Sequence, residues 1–193
     1  MNIDRPAPKQ SMPENALKVF TGKLFDVYQW EQEGYDGQKR IFERVRRDDT
    51  AIVIPVTEDG KIILIEEEQP GKKPFIGTVG GRIDEGEDPL LAAKRELLEE
   101  TGYEAQDWKF LKAHQPMAKM DWAIYTFVAN NCKKVSEQNL DGAEKIKPIE
   151  LSFDAFIETA SAENFNEIDI RLRVLEAKAD PKKLVILKED LGL

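Results

Sequence analysis

Glu96, Glu99 and Glu100 stand at i, i+3 and i+4, so a helix through them stacks three carboxylates on one face. Like charges at that spacing repel by roughly 0.2–0.5 kcal/mol per pair on an exposed helix. They also fall in the last turn of the helix expected here, where the macrodipole disfavours anions. An acidic cluster at the wrong helix end reads as a hard-cation site, because Mg²⁺ takes carboxylate oxygens and keeps several waters for a phosphate. Arg95, four residues before Glu99, can hold that carboxylate in one rotamer through an ion pair. Glu85 and Glu87 precede the segment and can fold back toward the same face. The plainer alternative is a solvated acidic helix face; the glycines ahead of the segment and the order of the glutamates argue against it.

Such a helix must be started, stopped and packed. Asp88 can cap it, Pro89 suits its first position, and Gly102 is a ready C-terminal stop. Leu90, Ala93 and Leu97 offer the apolar stripe for its other side. Gly77, Gly80 and Gly81 mark a backbone with unusual dihedrals or a close neighbour. Thr50 to Val56 is a nearly continuous apolar run, as a strand buried on both faces requires, and Glu58-Asp59-Gly60 turns it into a second strand from Lys61. Upstream, an aromatic hairpin from Leu24 to Val45 turns at Asp36-Gly37. Further strands are expected at residues 108–113, 123–129 and 146–151, the last an edge strand because of Pro148. Ser152 can cap a helix running to Ala160. A final helix, 163–179, carries Phe165, Ile168, Leu172 and Leu175 at helical spacing and ends at Asp180-Pro181. Residues 1–16 are polar and proline-bearing and read as a mobile arm. The fold class is α+β: a domain over 49–193 with an N-terminal β extension over 17–48.

The bulk composition bounds the function. With 41% hydrophobic and 34% charged residues, the 193-residue chain is an ordinary globular one with a sizeable core. A formal net charge of −9 repels nucleic acid and anionic membrane, so a phosphate-bearing substrate needs a bridging cation. No apolar run approaches ~20 residues, and the N-terminus lacks a signal-peptide pattern. Cys132, the only cysteine, has no partner for a disulfide or a zinc site. A cytoplasmic protein with no nucleic-acid or membrane partner is the expectation.

Residues 81–103 resemble the Nudix box, G-x5-E-x7-R-E-U-x-E-E-x-G-U with U apolar. Gly81, Glu87, Arg95, Glu96, Leu97, Glu99, Glu100 and Gly102 fill their positions in register, and only Tyr103 departs from the usual aliphatic residue. The order of flanking elements is similar to the family's α/β/α sandwich with a mixed sheet over most of residues 50–180. The resemblance implies a Mg²⁺-dependent pyrophosphohydrolase, with Mn²⁺ as the alternative cation. Glu96, Glu99, Glu100 and the carbonyl of Gly80 would bind metal, Arg95 would orient Glu99, and Glu87 would fix the loop. Two readings stand for the catalytic base: a carboxylate of the helix cluster, Glu99 among them, or Glu144, which resembles the loop glutamate of the ADP-ribose pyrophosphatase group. For Glu144 a solvated loop carboxylate is an equal alternative.

The N-terminal hairpin resembles the β extension of nucleoside-diphosphate-sugar and ADP-ribose pyrophosphatases, which implies a homodimer and a small nucleotide-diphosphate substrate. Two features depart from that group. Gly77-Thr78-Val79-Gly80-Gly81 stands where Glu-Leu-Pro-Ala-Gly is common, and Pro116 lies closer to the box than the usual downstream proline. Trp30, Tyr28 and Trp122 can stack on a base, against the alternative of core or interface packing. Arg46, with Arg44 and Arg47, can meet phosphates, against that of charges on an exposed strand. His114 reads as structural or solvated. Hydrolysis of triphosphates or dinucleoside polyphosphates, and a non-catalytic nucleotide-sensing module, are the competing functions; the intact box argues against the second.

Overall fold

The computed structural model of the chain describes residues 3–140, 142 and 145–193. Glu144 lies outside the described residues. The aromatic stretch folds as β1 (Leu17–Thr21), β2 (Asp26–Glu33) and β3 (Lys39–Arg46), all antiparallel, with Asp36 and Gly37 in the β2–β3 turn. The apolar run makes β4 (Thr50–Thr57), which turns at Asp59-Gly60 into β5 (Ile62–Glu68). Two short strands follow along one line with different partners. β6 (Phe75–Gly77) bonds β5, and β7 (Val79–Arg82) bonds β4.

Helix α1 (Pro89–Thr101) then forms with the expected punctuation. Asp88 Oδ1 accepts the Leu90 N–H at 2.9 Å and the Leu91 N–H at 3.3 Å, and Gly102 closes the helix at φ 75°. Next come β8 (Tyr103–Glu104), β9 (Asp107–His114), β10 (Met120–Asp121), β11 (Ile124–Lys134) and β12 (Lys145–Leu151). Helices α2 (Phe153–Ser161), α3 (Ile168–Ala179) and α4 (Pro181–Asp190) end the chain. The main sheet runs β12-β5-β4-β11-β8, with β6, β7 and β9 attached to it, and β11 lies parallel to β4. A smaller sheet runs β1-β2-β3-β10.

Period-two alternation along β4 and β5 sends side chains into two cores. Ala51, Val53, Ile63 and Ile65 pack with Ala93 and Leu97 of α1. Ile54, Val56, Ile62 and Leu64 pack with Phe156, Val174 and Leu187 of α2, α3 and α4. The result is an α/β/α sandwich with a mixed sheet, and the edge position expected for Pro148 is realised, since β12 ends the order.

The N-terminal segment makes contacts of its own: Arg5 bonds Asp49 at 2.7 Å and Asp121 at 3.0 Å, Lys9 bonds the Pro116 carbonyl, and Ile3 packs on the α1-side core. Three expectations need correcting. Arg44 is no exposed strand charge but a buried one, bonding the Gln10 carbonyl and Gln115 Oε1. The last expected helix begins at Ile168 rather than 163, because residues 164–166 run beside β6, with Asn166 N donating to the Ile76 carbonyl at 2.9 Å. Asp180-Pro181 ends α3 and also starts α4, Asp180 accepting the Lys182 N–H at 2.9 Å.

Cys132 is buried with its Sγ on the Ala129 carbonyl, and burial pushes the thiol up to about 11. Thiolate is the reactive form, so the folded protein is expected to resist a disulfide exchange reagent at pH 8 and to react fully once denatured. A native reaction at the rate of a free thiol would contradict that burial.

Candidate active site

The glycines before α1 explain themselves by what approaches them. Gly80 has φ 149°, and a Cβ there would collide with the Ala51 carbonyl oxygen and stand 2.9 Å from Ile52 Cα. Glycine therefore lets β7 lie close on β4. A Cβ on Gly81 would enter the Glu96 carboxylate, which lies against the bare backbone. Glu100 Oε2 accepts the Gly80 N–H at 2.9 Å. Two glutamates four residues apart on α1 thus reach the same two-residue stretch of strand.

Arg95 is the hub of the remaining acids. Its guanidinium donates to both oxygens of Glu87 at 3.0 Å, to Glu96 Oε1 at 2.7 Å, to Glu99 Oε2 at 3.2 Å and to the Arg82 carbonyl at 2.9 Å. Glu87 also accepts the Asp84 N–H at 3.0 Å, which closes the loop ahead of the helix. The Arg95 hydrogen bond holds the Glu87 carboxyl below the usual carboxylate range. Burial pushes Glu96 up, against the pull of Arg95. Glu99 is the open member, its side chain 38% exposed.

These are hard oxygen donors, the kind that Mg²⁺ and Mn²⁺ take. Among the described residues no three acidic side chains already surround one point; Arg95 Nη1 stands between Glu96 and Glu99. The donor set fits such a cation in kind.

The expected substrate residues separate. Arg46 bonds Asp121 Oδ2 at 2.9 Å and lies 5.0 Å over the Tyr28 ring. Trp122 donates its indole N–H to Thr50 Oγ1 at 3.0 Å, under the Arg47 guanidinium. Thr50 pairs with Arg82, so Trp122 comes close to the segment that leads into α1. Trp30 does not join them. It is 5% exposed and packs on Phe42, with ring centroids 6.2 Å apart, so it has no free face for a base. His114 faces Asp169, as a structural histidine does.

Sequence reasoning passed over three participants. Asp121 gathers Arg5, Arg44 and Arg46. Gln138 donates to the Glu100 carbonyl and, at 3.0 Å, to the Ile146 carbonyl, joining the end of α1 to β12. Ile146, with Glu67, Phe75, Ile76, Lys147 and Asn164, lines a cleft of about 390 Å³ beside that junction. Glu167 accepts the Thr78 N–H at 2.9 Å. No local motif announces any of these, since most of the partners are distant in sequence.

Comparison with known proteins gives the family and the fold. The family model described as the NUDIX domain matches residues 46–170. A protein of Bacillus methanolicus named methanol dehydrogenase activator is 33% identical over 141 residues, 71% of this chain and 76% of that protein. An ADP-ribose pyrophosphatase of Bacillus subtilis (strain 168) is 29% identical over 71% of this chain and 76% of its own. A solved structure of an ADP compounds hydrolase superposes with a TM-score of 0.71 at 25% identity, covering 92% of this chain and 98% of the other.

Proposed function

The chain belongs to the Nudix family of pyrophosphohydrolases, and from that premise we propose that it hydrolyses the diphosphate of a nucleoside diphosphate joined to a sugar, ADP-ribose among them. The observation that carries the site is the Gly80-Gly81 strand gripped by Glu96 and Glu100 from one helix face. The substrate class is supported by the relatives named for ADP-ribose and ADP compounds and by the N-terminal sheet set beside Trp122 and Arg46.

In this reading Glu96, Glu99, Glu100 and the Gly80 carbonyl hold Mg²⁺, with Mn²⁺ as the alternative. A cation there would neutralise diphosphate charge and favour attack by water on phosphorus. The chain's own groups do the rest. Arg95 keeps Glu99 in one rotamer, and Glu87 anchors Arg95. Glu99, open to solvent, is one candidate to take the proton from the attacking water, and Glu144 is the other. Loss of the acidic limb of the pH–rate profile in only one of Glu99→Gln and Glu144→Gln would assign the role. Trp122 would stack on the nucleoside base and Arg46 would meet its phosphates.

Leu17, Val19, Phe20, Leu24 and Ile41, in and beside the N-terminal sheet, are exposed apolar side chains, which supports a homodimer through that sheet. Sedimentation at micromolar concentration is expected to give twice the chain mass; a monomer would remove the dimer.

The test of the function is phosphate release, coupled to a phosphatase, across ADP-ribose, other nucleotide sugars, dinucleoside polyphosphates and triphosphates with Mg²⁺. Turnover confined to diphosphate-linked sugars is the expected result. Preference for triphosphates would overturn the substrate class, and silence on every compound with either cation would overturn the hydrolase reading.

A further inference from the structure

The chain changes strand partner at Thr78. Up to Gly77 it bonds β5, and from Val79 it bonds β4, which leaves Thr78 outside both ladders. A buried backbone N–H needs an acceptor, and this one is Glu167 Oε2 at 2.9 Å. Two residues on, the Gly80 N–H is taken by Glu100. The crossover is therefore held by two carboxylates from opposite layers of the sandwich, Glu100 from α1 and Glu167 from the residue before α3.

Glu167 occupies the N-cap position of α3 yet makes no capping bond to that helix, although orphan N–H groups at a helix start favour one. Its carboxylate turns instead to the crossover, and its other oxygen accepts from Asn166 Nδ2 at 3.0 Å. Backbone bonds on either side, Asn166 N to the Ile76 carbonyl and Ile76 N to the Asn164 carbonyl, fix its origin beside β6. Gly77 is bare where the carboxylate lies: a Cβ there would stand 3.2 Å from both oxygens. Among the described residues no lysine or arginine bonds this acid, which takes the Thr78 amide and the Asn166 side chain. Nothing in the proposed chemistry uses its charge.

We propose that Glu167 is a positioning residue of the cation site: by holding Thr78 from the far layer, it sets where the Gly80 carbonyl stands relative to the carboxylates of α1. This rests on the reading of Gly80, Glu96, Glu99 and Glu100 as that site. Groups that orient metal ligands from behind are commonly worth ~10–100-fold in metal affinity.

The experiment is calorimetric titration of the full chain with Mn²⁺, and the metal-free melting temperature, for wild type, Glu167→Ala, Glu167→Asp, Glu167→Gln and Glu100→Gln. Glu167→Ala removes the acceptor and Glu167→Asp draws it one methylene short, so both are expected to lose roughly tenfold or more in affinity. Glu167→Gln keeps an acceptor oxygen for Thr78 and is expected to bind as wild type does. Wild-type affinity in the Ala and Asp variants, whatever happens to their melting, overturns the proposal. So does a Gln variant as weak as the Ala variant, because the charge and not the backbone bond would then be at work. Should the Ala variant fail to fold, the Asp and Gln pair decides. Glu100→Gln separates the two claims: unchanged Mn²⁺ binding there overturns the cation-site reading itself, whereas loss there beside a wild-type-like Glu167→Ala overturns only the role of Glu167.

Discussion

Glu100→Gln is expected to turn over ADP-ribose with Mg²⁺ at least ~100-fold more slowly than wild type, beyond the ~10–100-fold typical of outer-shell partners. Glu100 is buried, and its Oε2 holds the Gly80 N–H at 2.9 Å. Glutamine has the same length and keeps one carbonyl oxygen for that N–H, so the contact between α1 and β7 survives. What disappears is the anionic charge, at the place where α1 meets the strand whose carbonyl is a proposed ligand. Stability is expected to change by less than ~1 kcal/mol, a shift of about 2–4 °C in melting for a chain of this size. Steady-state kinetics and circular dichroism on one preparation check both halves. A wild-type rate would remove Glu100 from the cation site, and a collapsed melting temperature would make it a structural residue first.

The box was readable because its information is local. Asp88, Pro89 and Gly102 act on their immediate neighbours, and the spacing of Arg95, Glu96, Glu99 and Glu100 fixes a common helix face whatever the rest of the chain does. The runs forming β4 and β5 were readable for a related reason, since a strand apolar on both faces must be covered on both. Periodicity failed at α3. Its sequence carries an apolar stripe at Ile168, Leu172 and Leu175 and another at Ile170, Val174 and Ala177. The core takes the second, and Ile168 is left 76% exposed. Two stripes at one period look alike in sequence, and only the neighbours of α3 choose between them.

Long-range polar contacts were the other blind spot. Arg5 meets Asp49 and Asp121, Arg44 meets Gln10 and Gln115, and Glu167 meets Thr78 across 89 residues of chain. A charged residue bonded far along the chain has the same local signature as one bonded to water. For that reason residues 1–16 read as a mobile arm and Arg44 looked solvated. Trp30 was ambiguous at the outset between stacking on a base and packing, because an aromatic ring satisfies either environment.

The second large effect is expected at Gly80. Alanine there needs a left-handed backbone, which costs an L-residue ~1–3 kcal/mol, and its Cβ would strike the Ala51 carbonyl and the Ile52 Cα. Those are backbone atoms of β4, which at this point is bonded along its other edge to β11, so they cannot yield as a flexible side chain would. β7 must move instead, taking with it the N–H held by Glu100 and the packing of Glu96 on Gly81. A destabilisation of about 4 kcal/mol or more is expected, in the range kept for strain combined with core disruption, with activity lost as well. Gly86→Ala is the control. Gly86 also has positive φ, at 79°, but no atom lies within 4 Å of its prospective Cβ, so only the conformational cost of ~1–2 kcal/mol applies. Urea unfolding of the two variants separates the contributions. If Gly80→Ala unfolds no more readily than Gly86→Ala, then β7 is not pressed on β4, and the close approach that sets the Gly80 N–H on Glu100 fails with it.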